Sequence, residues 1–210
     1  MANILVFGAS IVFGKVDTKG GWVQYLRTFL EEKALKEGKD IDSFDVYNLS
    51  INGGTTADLL NRLECEAIPR LSKDKTITII SIGLNDSMLH IADGKNRISE
   101  DQYENNLVEM AKTAKEFSKV IFIGLTPIDE NKTNPIPWRK EYSYQSKFVK
   151  QYNEIMQKVA EEQDTCFIDL LSRFNNSYIE LLDDGVHPND EGHKQIFEII
   201  KRELEEKEII

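Results

Sequence analysis

The sequence predicts an α/β fold built on a parallel sheet with helices on both faces, and three observations carry that prediction. Five short runs rich in Val, Ile and Phe recur along the chain, nearly continuous rather than alternating, as in strands covered on both faces. Segments of helical period lie between and after them, so strand and helix alternate. No repeat, low-complexity tract or linker breaks the pattern across 210 residues, and 40% hydrophobic content is ample for one core. A single domain over 1–210 is expected.

Taken in order, the strands are expected at 3–7, 44–48, 76–82, 119–124 and 165–170. The first helix follows from the stripe Trp22, Tyr25, Leu26, Phe29 and Leu30. The second crossover, 56–71, is weaker but carries Leu59, Leu60 and Leu63. Tyr103, Leu107, Met110, Ala111, Ala114 and Phe117 form the next stripe, opened by Ser99 and Gln102 as a capping box. Phe148, Tyr152, Ile155, Met156 and Val159 make another, and Ile196, Phe197, Ile199, Ile200 and Leu204 the last. All of these read as core. The connection 125–142 is long for a compact domain and holds Pro127, Pro135, Pro137 and Trp138. Trp138, an aromatic in a polar loop, is either a wall for a substrate or a residue that packs back on the protein.

Charge narrows the function. With 26 Lys+Arg against 36 Asp+Glu the chain carries −10 and no dense basic block, which argues against nucleic acid as a partner. No apolar run approaches the ~20 residues that span a bilayer. Cys65 and Cys166 match no metal spacing, and the opening MANILVFG has no charged n-region or cleavage site, so a reduced, cytoplasmic protein is expected. Oligomeric state is not readable.

The stretch FGASIVFGK directly after the first strand admits two chemistries. A phosphate-binding loop needs four residues between its glycines and Ser or Thr after its Lys; here five separate Gly8 from Gly14, and Val16 follows Lys15. The cradle fails, which leaves Ser10. In a parallel sheet, ligands bind beyond the carboxyl ends of the strands, and those positions are suggestive here. They are Gly8-Ala9-Ser10, NLSINGGTT with Gly53 and Gly54, GLNDS with Asn85, and DDGVHPNDEGH with Asp184 and His187. A serine nucleophile needs a base, for which His187 is the candidate, and the base needs an orienting group, for which Asp184 stands three residues earlier. The oxyanion needs donors: the Ser10 and Gly53 N–H groups and the Asn85 side-chain amide. Each residue also has a plain structural reading, as a turn former, a positive-φ glycine or a histidine ahead of a capped helix. His90 is read as loop, His193 as first-turn helix surface and 203–208 as a solvated acidic face.

On these residues the chain resembles the SGNH hydrolases of the GDSL lipase/acylhydrolase superfamily. Ser10 matches the nucleophile of the first block, Gly53 the glycine of the second, Asn85 the asparagine of G-x-N-D, and Asp184 and His187 the D-x-x-H-P of the last. The resemblance implies a three-layer α/β/α sandwich with a flavodoxin-like, five-stranded parallel sheet. It also implies metal-free, cofactor-free ester hydrolysis through an acyl-enzyme, with a small-molecule ester as partner; short acyl groups or small-alcohol esters are expected because a chain of 210 residues shows no inserted lid domain. One position departs: the family's first block usually reads G-D-S, and Ala9 stands where that aspartate would be. The rival expectation is an SGNH-fold binding module in which that change has cost turnover.

Overall fold

In the computed structural model, which describes residues 2–36, 38 and 44–210, eight strands form: β1 (Ala2–Gly8), β2 (Phe44–Ser50), β3 (Lys75–Ser81), β4 (Leu89–His90), β5 (Lys95–Asn96), β6 (Lys119–Ile123), β7 (Tyr142–Ser143) and β8 (Cys166–Ile168). The five apolar runs are β1, β2, β3, β6 and β8, and they pair parallel in the order β2-β1-β3-β6-β8. β1 lies inside the sheet and is buried along its whole length, whereas β2 at the edge is mostly half-buried, unlike the two-sided burial its composition predicts. An edge strand has one neighbour, and apolar content alone does not reveal that position.

The helices are α1 (Ser10–Phe13), α2 (Gly21–Lys36), α3 (Thr56–Leu60), α4 (Leu63–Ala67), α5 (Glu100–Lys115), α6 (Glu130–Thr133), α7 (Ser146–Glu162), α8 (Asn176–Ile179) and α9 (Asp190–Glu206). Successive residues of β1 point to opposite faces and so belong to different cores. Ile4 and Val6 pack with Trp22, Leu26 and Leu30 of α2 and Ile196, Ile200 and Leu204 of α9. Leu5 and Phe7 pack with Leu59 and Leu63, with Tyr103, Leu107 and Met110 of α5, and with Tyr152, Met156 and Val159 of α7. Two cores, one on each face, make the three-layer α/β/α arrangement, and the apolar stripes are its substance.

The second crossover is broken into α3, α4 and a 3-10 turn at Ile68–Arg70, where Pro69 cannot continue a helix donor ladder. Ser99 does cap α5, accepting the Gln102 N–H at 3.4 Å. The long connection is more ordered than its prolines imply. Asp129 caps α6, Ile128 and Ile136 are buried, and its end forms β7 in a small antiparallel sheet, β5-β4-β7. His90 therefore lies in β4, bonded to Asp93 at 2.8 Å, and not in a loop.

Candidate active site

The candidate residues Ser10, Gly53, Asn85, Asp184 and His187 all lie beyond the carboxyl ends of the strands. Gly8 ends β1 where the chain must turn at once into α1. A Cβ there would sit 2.3 Å from Val12 Cγ2 and 2.5 Å from the Ser81 carbonyl, so only glycine lets the strand and the helix approach. Ser10 is the first residue of α1, and Asn48 braces the short helix from β2 by donating to the Val12 carbonyl at 2.9 Å. A first-turn N–H has no acceptor within its own helix, so the Ser10 N–H is open to an outside anion.

His187 is placed by the aspartate that partners it. Asp184 Oδ1 accepts the N–H groups of Val186 (2.9 Å) and His187 (2.8 Å), folding the loop around Gly185 (φ 87°), while Oδ2 takes His187 Nδ1 at 2.6 Å. A carboxylate only accepts, so the imidazole carries its proton on Nδ1 and presents a bare Nε2. That nitrogen lies 2.8 Å from Ser10 Oγ. Burial alone would raise the Asp184 carboxyl pKa, but the hydrogen bonds from the His187 ring, its backbone and Val186 outweigh it and hold the group down at about 2. The acid is ionised at any working pH. Asn189 then caps α9 by accepting the Gly192 N–H at 3.1 Å.

Asn85 and Ser10 line the same pocket, a cavity of about 40 Å³. Asn85 Nδ2 donates to the Gly54 carbonyl at 2.9 Å, tying the loop after β3 to the loop after β2. Gly53, next to it, has φ 76°, and a Cβ there would meet nothing within 4 Å; the glycine serves the backbone sign rather than space. Apolar lining comes from Val12, Trp22, Ile82, Leu125, Leu170 and Ile196. Trp138 is 54% exposed, and its ring centroid lies 6.2 Å from that of His187, so the tryptophan stands beside the site instead of packing back into the core.

Two sequence expectations are corrected. His193 is buried, not on the helix surface: Nδ1 accepts the Trp22 N–H at 3.4 Å and Nε2 faces the Lys15 carbonyl at 3.3 Å, and burial keeps its pKa below the usual imidazole range. Glu203 is likewise buried, paired with Arg173 at 2.6 Å and Lys207 at 3.6 Å, because α9 lays it against the 3-10 turn at Leu171–Arg173. Two polar groups at the site escaped sequence reasoning. Asp86 is buried and accepts from the Thr56 N–H at 2.9 Å and from the Thr56 hydroxyl, which also accepts from Asn106. Tyr144 donates to Asn85 Oδ1 at 2.9 Å. The D after N in GLNDS was a signal for the first; nothing local marks the second. Among the described residues no cluster of three or more His, Cys, Asp or Glu is arranged to hold a metal, and no helix is long and apolar enough to cross a membrane.

Comparison with known proteins agrees with this architecture. The chain is 28% identical over 203 residues to an acetylxylan esterase of Geobacillus stearothermophilus, covering 91% of this chain and 83% of that protein. An acetylxylan esterase structure from the same organism superposes with a TM-score of 0.74 at 23% identity, over 96% of this chain and 93% of that one. A lipase/acylhydrolase structure from Enterococcus faecalis does so with 0.73 at 23% identity, over 99% and 97%. At those identities the solved structures show a common fold. The model of the GDSL-like lipase/acylhydrolase family matches residues 6–195, so the chain belongs to that family and is a carboxylic ester hydrolase.

Proposed function

We propose that this chain, acting as one domain, cleaves short-chain acyl esters through an acyl-enzyme on Ser10, with acetyl esters of carbohydrate hydroxyls as the leading substrate class. The observation that carries the reading is the hydrogen-bonded chain Ser10 Oγ, His187 and Asp184, at 2.8 and 2.6 Å. As Oγ attacks the ester carbonyl, its proton passes to Nε2, and ionised Asp184 stabilises the imidazolium that forms. The Ser10 and Gly53 N–H groups and the Asn85 amide receive the oxyanion. His187 then protonates the departing alcohol, water attacks the acyl-enzyme by the same route, and the acid leaves.

The substrate class rests on three supports. The 40 Å³ pocket beside Ser10 has room for about three waters, the scale of an acetyl group. Exposed Trp138 beside His187 offers the flat apolar face on which a sugar ring packs. Relatives named acetylxylan esterase supply the third. A cytoplasmic location fits the free thiols of Cys65 and Cys166. The binding-module rival is not favoured, because Ser10 and His187 keep hydrogen-bonding distance with Ala9 in place.

A fluorophosphonate probe tests the core of the reading. Stoichiometric labelling that is lost in Ser10→Ala supports it; folded protein that stays unlabelled overturns it.

A further inference from the structure

We infer that Tyr144 is a positioning residue for ester cleavage: its hydroxyl fixes and polarises the Asn85 amide so that one N–H of Asn85 is aimed at the oxyanion. This inference rests on the reading of Asn85 as an oxyanion donor and adds a residue to it.

The hydrogen bonds around Asn85 leave its amide a single orientation. Gly54 offers Asn85 a backbone carbonyl at 2.9 Å, an acceptor with no proton to give, so the atom facing it must be the amide nitrogen. Oδ1 therefore faces Tyr144, and since an amide oxygen only accepts, the phenol at 2.9 Å donates. One of the two N–H groups is used by Gly54, and the other is left over in a side chain that lines the pocket with Ser10. Donation to an amide oxygen draws electron density toward oxygen and makes the remaining N–H a stronger donor. It also stops the amide from rotating, which matters because a donor serves a transition state only where the charge will develop.

Tyr144 is itself held for this task. The β4–β7 pair sets Leu89 opposite Ser143, so the residue after β7 is delivered to the loop that carries Asn85. Its N–H is bound by the Thr133 carbonyl at 3.1 Å, and its ring is buried in the pocket wall. Burial pushes the phenol well above its usual pKa, so it keeps the proton that donation requires. Tyr144 and Asn85 are 59 residues apart in sequence.

The test is a double-mutant cycle on p-nitrophenyl acetate. Tyr144→Phe keeps the buried ring and removes only the hydroxyl. It is expected to lower kcat by about tenfold, the low end of the loss when outer hydrogen-bond partners of a functional group are removed, with KM changed by less than about twofold. In an Asn85→Ala background the same change is expected to alter kcat by less than about twofold, since the group it acts through is gone. An unchanged kcat in Tyr144→Phe, an effect confined to KM, or the full tenfold loss persisting without Asn85 each overturns the inference while leaving Asn85 in place. Wild-type turnover in Asn85→Ala itself would instead remove the oxyanion reading beneath it.

Discussion

Asp184 grips His187 at two points, taking the ring Nδ1 at 2.6 Å and the backbone N–H at 2.8 Å, so one carboxylate both builds the loop and orients the imidazole on it. Because Nε2 meets Ser10 only through this arrangement, the three groups are expected to fail as a unit. Ser10→Ala and His187→Ala should each reduce hydrolysis of a p-nitrophenyl short-chain ester by ~10³-fold or more while leaving the fold intact. Near-wild-type turnover in either, measured alongside circular dichroism, would show that the assignment is wrong.

Pocket size sets an expectation for chain length. A cavity of about 40 Å³ beside Ser10 matches a short acyl group, so acetyl and butyryl esters are expected to be cleaved faster than palmitoyl esters. Rates on a p-nitrophenyl series from two to sixteen carbons check this, and a preference for about twelve or more would contradict it.

Trp138 is expected to act on binding. Replacing it with Ala should raise KM for acetylated sugars by about three- to tenfold, the worth of one aromatic contact, and Trp138→Phe should recover much of the loss. A drop in kcat at unchanged KM would place Trp138 in the chemistry instead.

Asp86 gives a pH signature of stability. Burial raises its carboxyl to about 6, against the opposing pull of the Thr56 hydrogen bonds, whereas the unfolded chain titrates it near its ordinary value of 3.8. Between those values the folded state binds more protons than the unfolded one, so this group's contribution is complete below about pH 3.8 and is lost as pH rises through 6. Asp86→Asn removes the titration. The wild type is therefore expected to gain stability relative to the variant as pH falls from 7.5 toward 4, by up to roughly 3 kcal/mol, since a tenfold difference in proton affinity between the two states is worth about 1.4 kcal/mol. Parallel melting profiles for the two proteins would refute this.

Ala9 occupies the N-cap of α1 and makes no cap hydrogen bond. Aspartate there can accept a first-turn N–H, a gain of about 0.5–2 kcal/mol that should raise Tm by a few degrees. Its charge also opposes the developing oxyanion by roughly 1 kcal/mol or more. Neither effect touches Ser10 or His187, so Ala9→Asp is expected to change kcat/KM by less than about tenfold. A thousandfold awakening of an inert Ala9 protein would reinstate the binding-module reading.

The sheet was legible because a strand buried on both faces leaves a nearly continuous apolar run, as in Ile4 to Phe7 and in Ile77 to Ile82, which only Thr78 and Ser81 interrupt. The candidate residues Ser10, Gly53 and Asn85 could be singled out because they follow those runs within a few positions, whereas Asp184 and His187 lie well beyond β8 and are marked only by their D-x-x-H-P pattern. Strands of two residues, such as Leu89–His90 and Tyr142–Ser143, are too short to show a period, so the small sheet that carries Tyr144 to Asn85 leaves no trace in composition. Buried polar residues failed for a related reason. His193 and Glu203 look like surface because of what they are, and they are buried because of what α9 packs against, which only the tertiary structure reveals.

The Ser10–His187 hydrogen bond joins residues 177 apart, almost the whole length of the polypeptide. A chain is made from its N-terminus, so Ser10 and β1 emerge before His187 and the loop that carries it. Until that loop docks, Ser10 has no imidazole beside it. On the proposed reading of the site, turnover is therefore expected only once the loop that carries His187 has been made and has docked against Ser10.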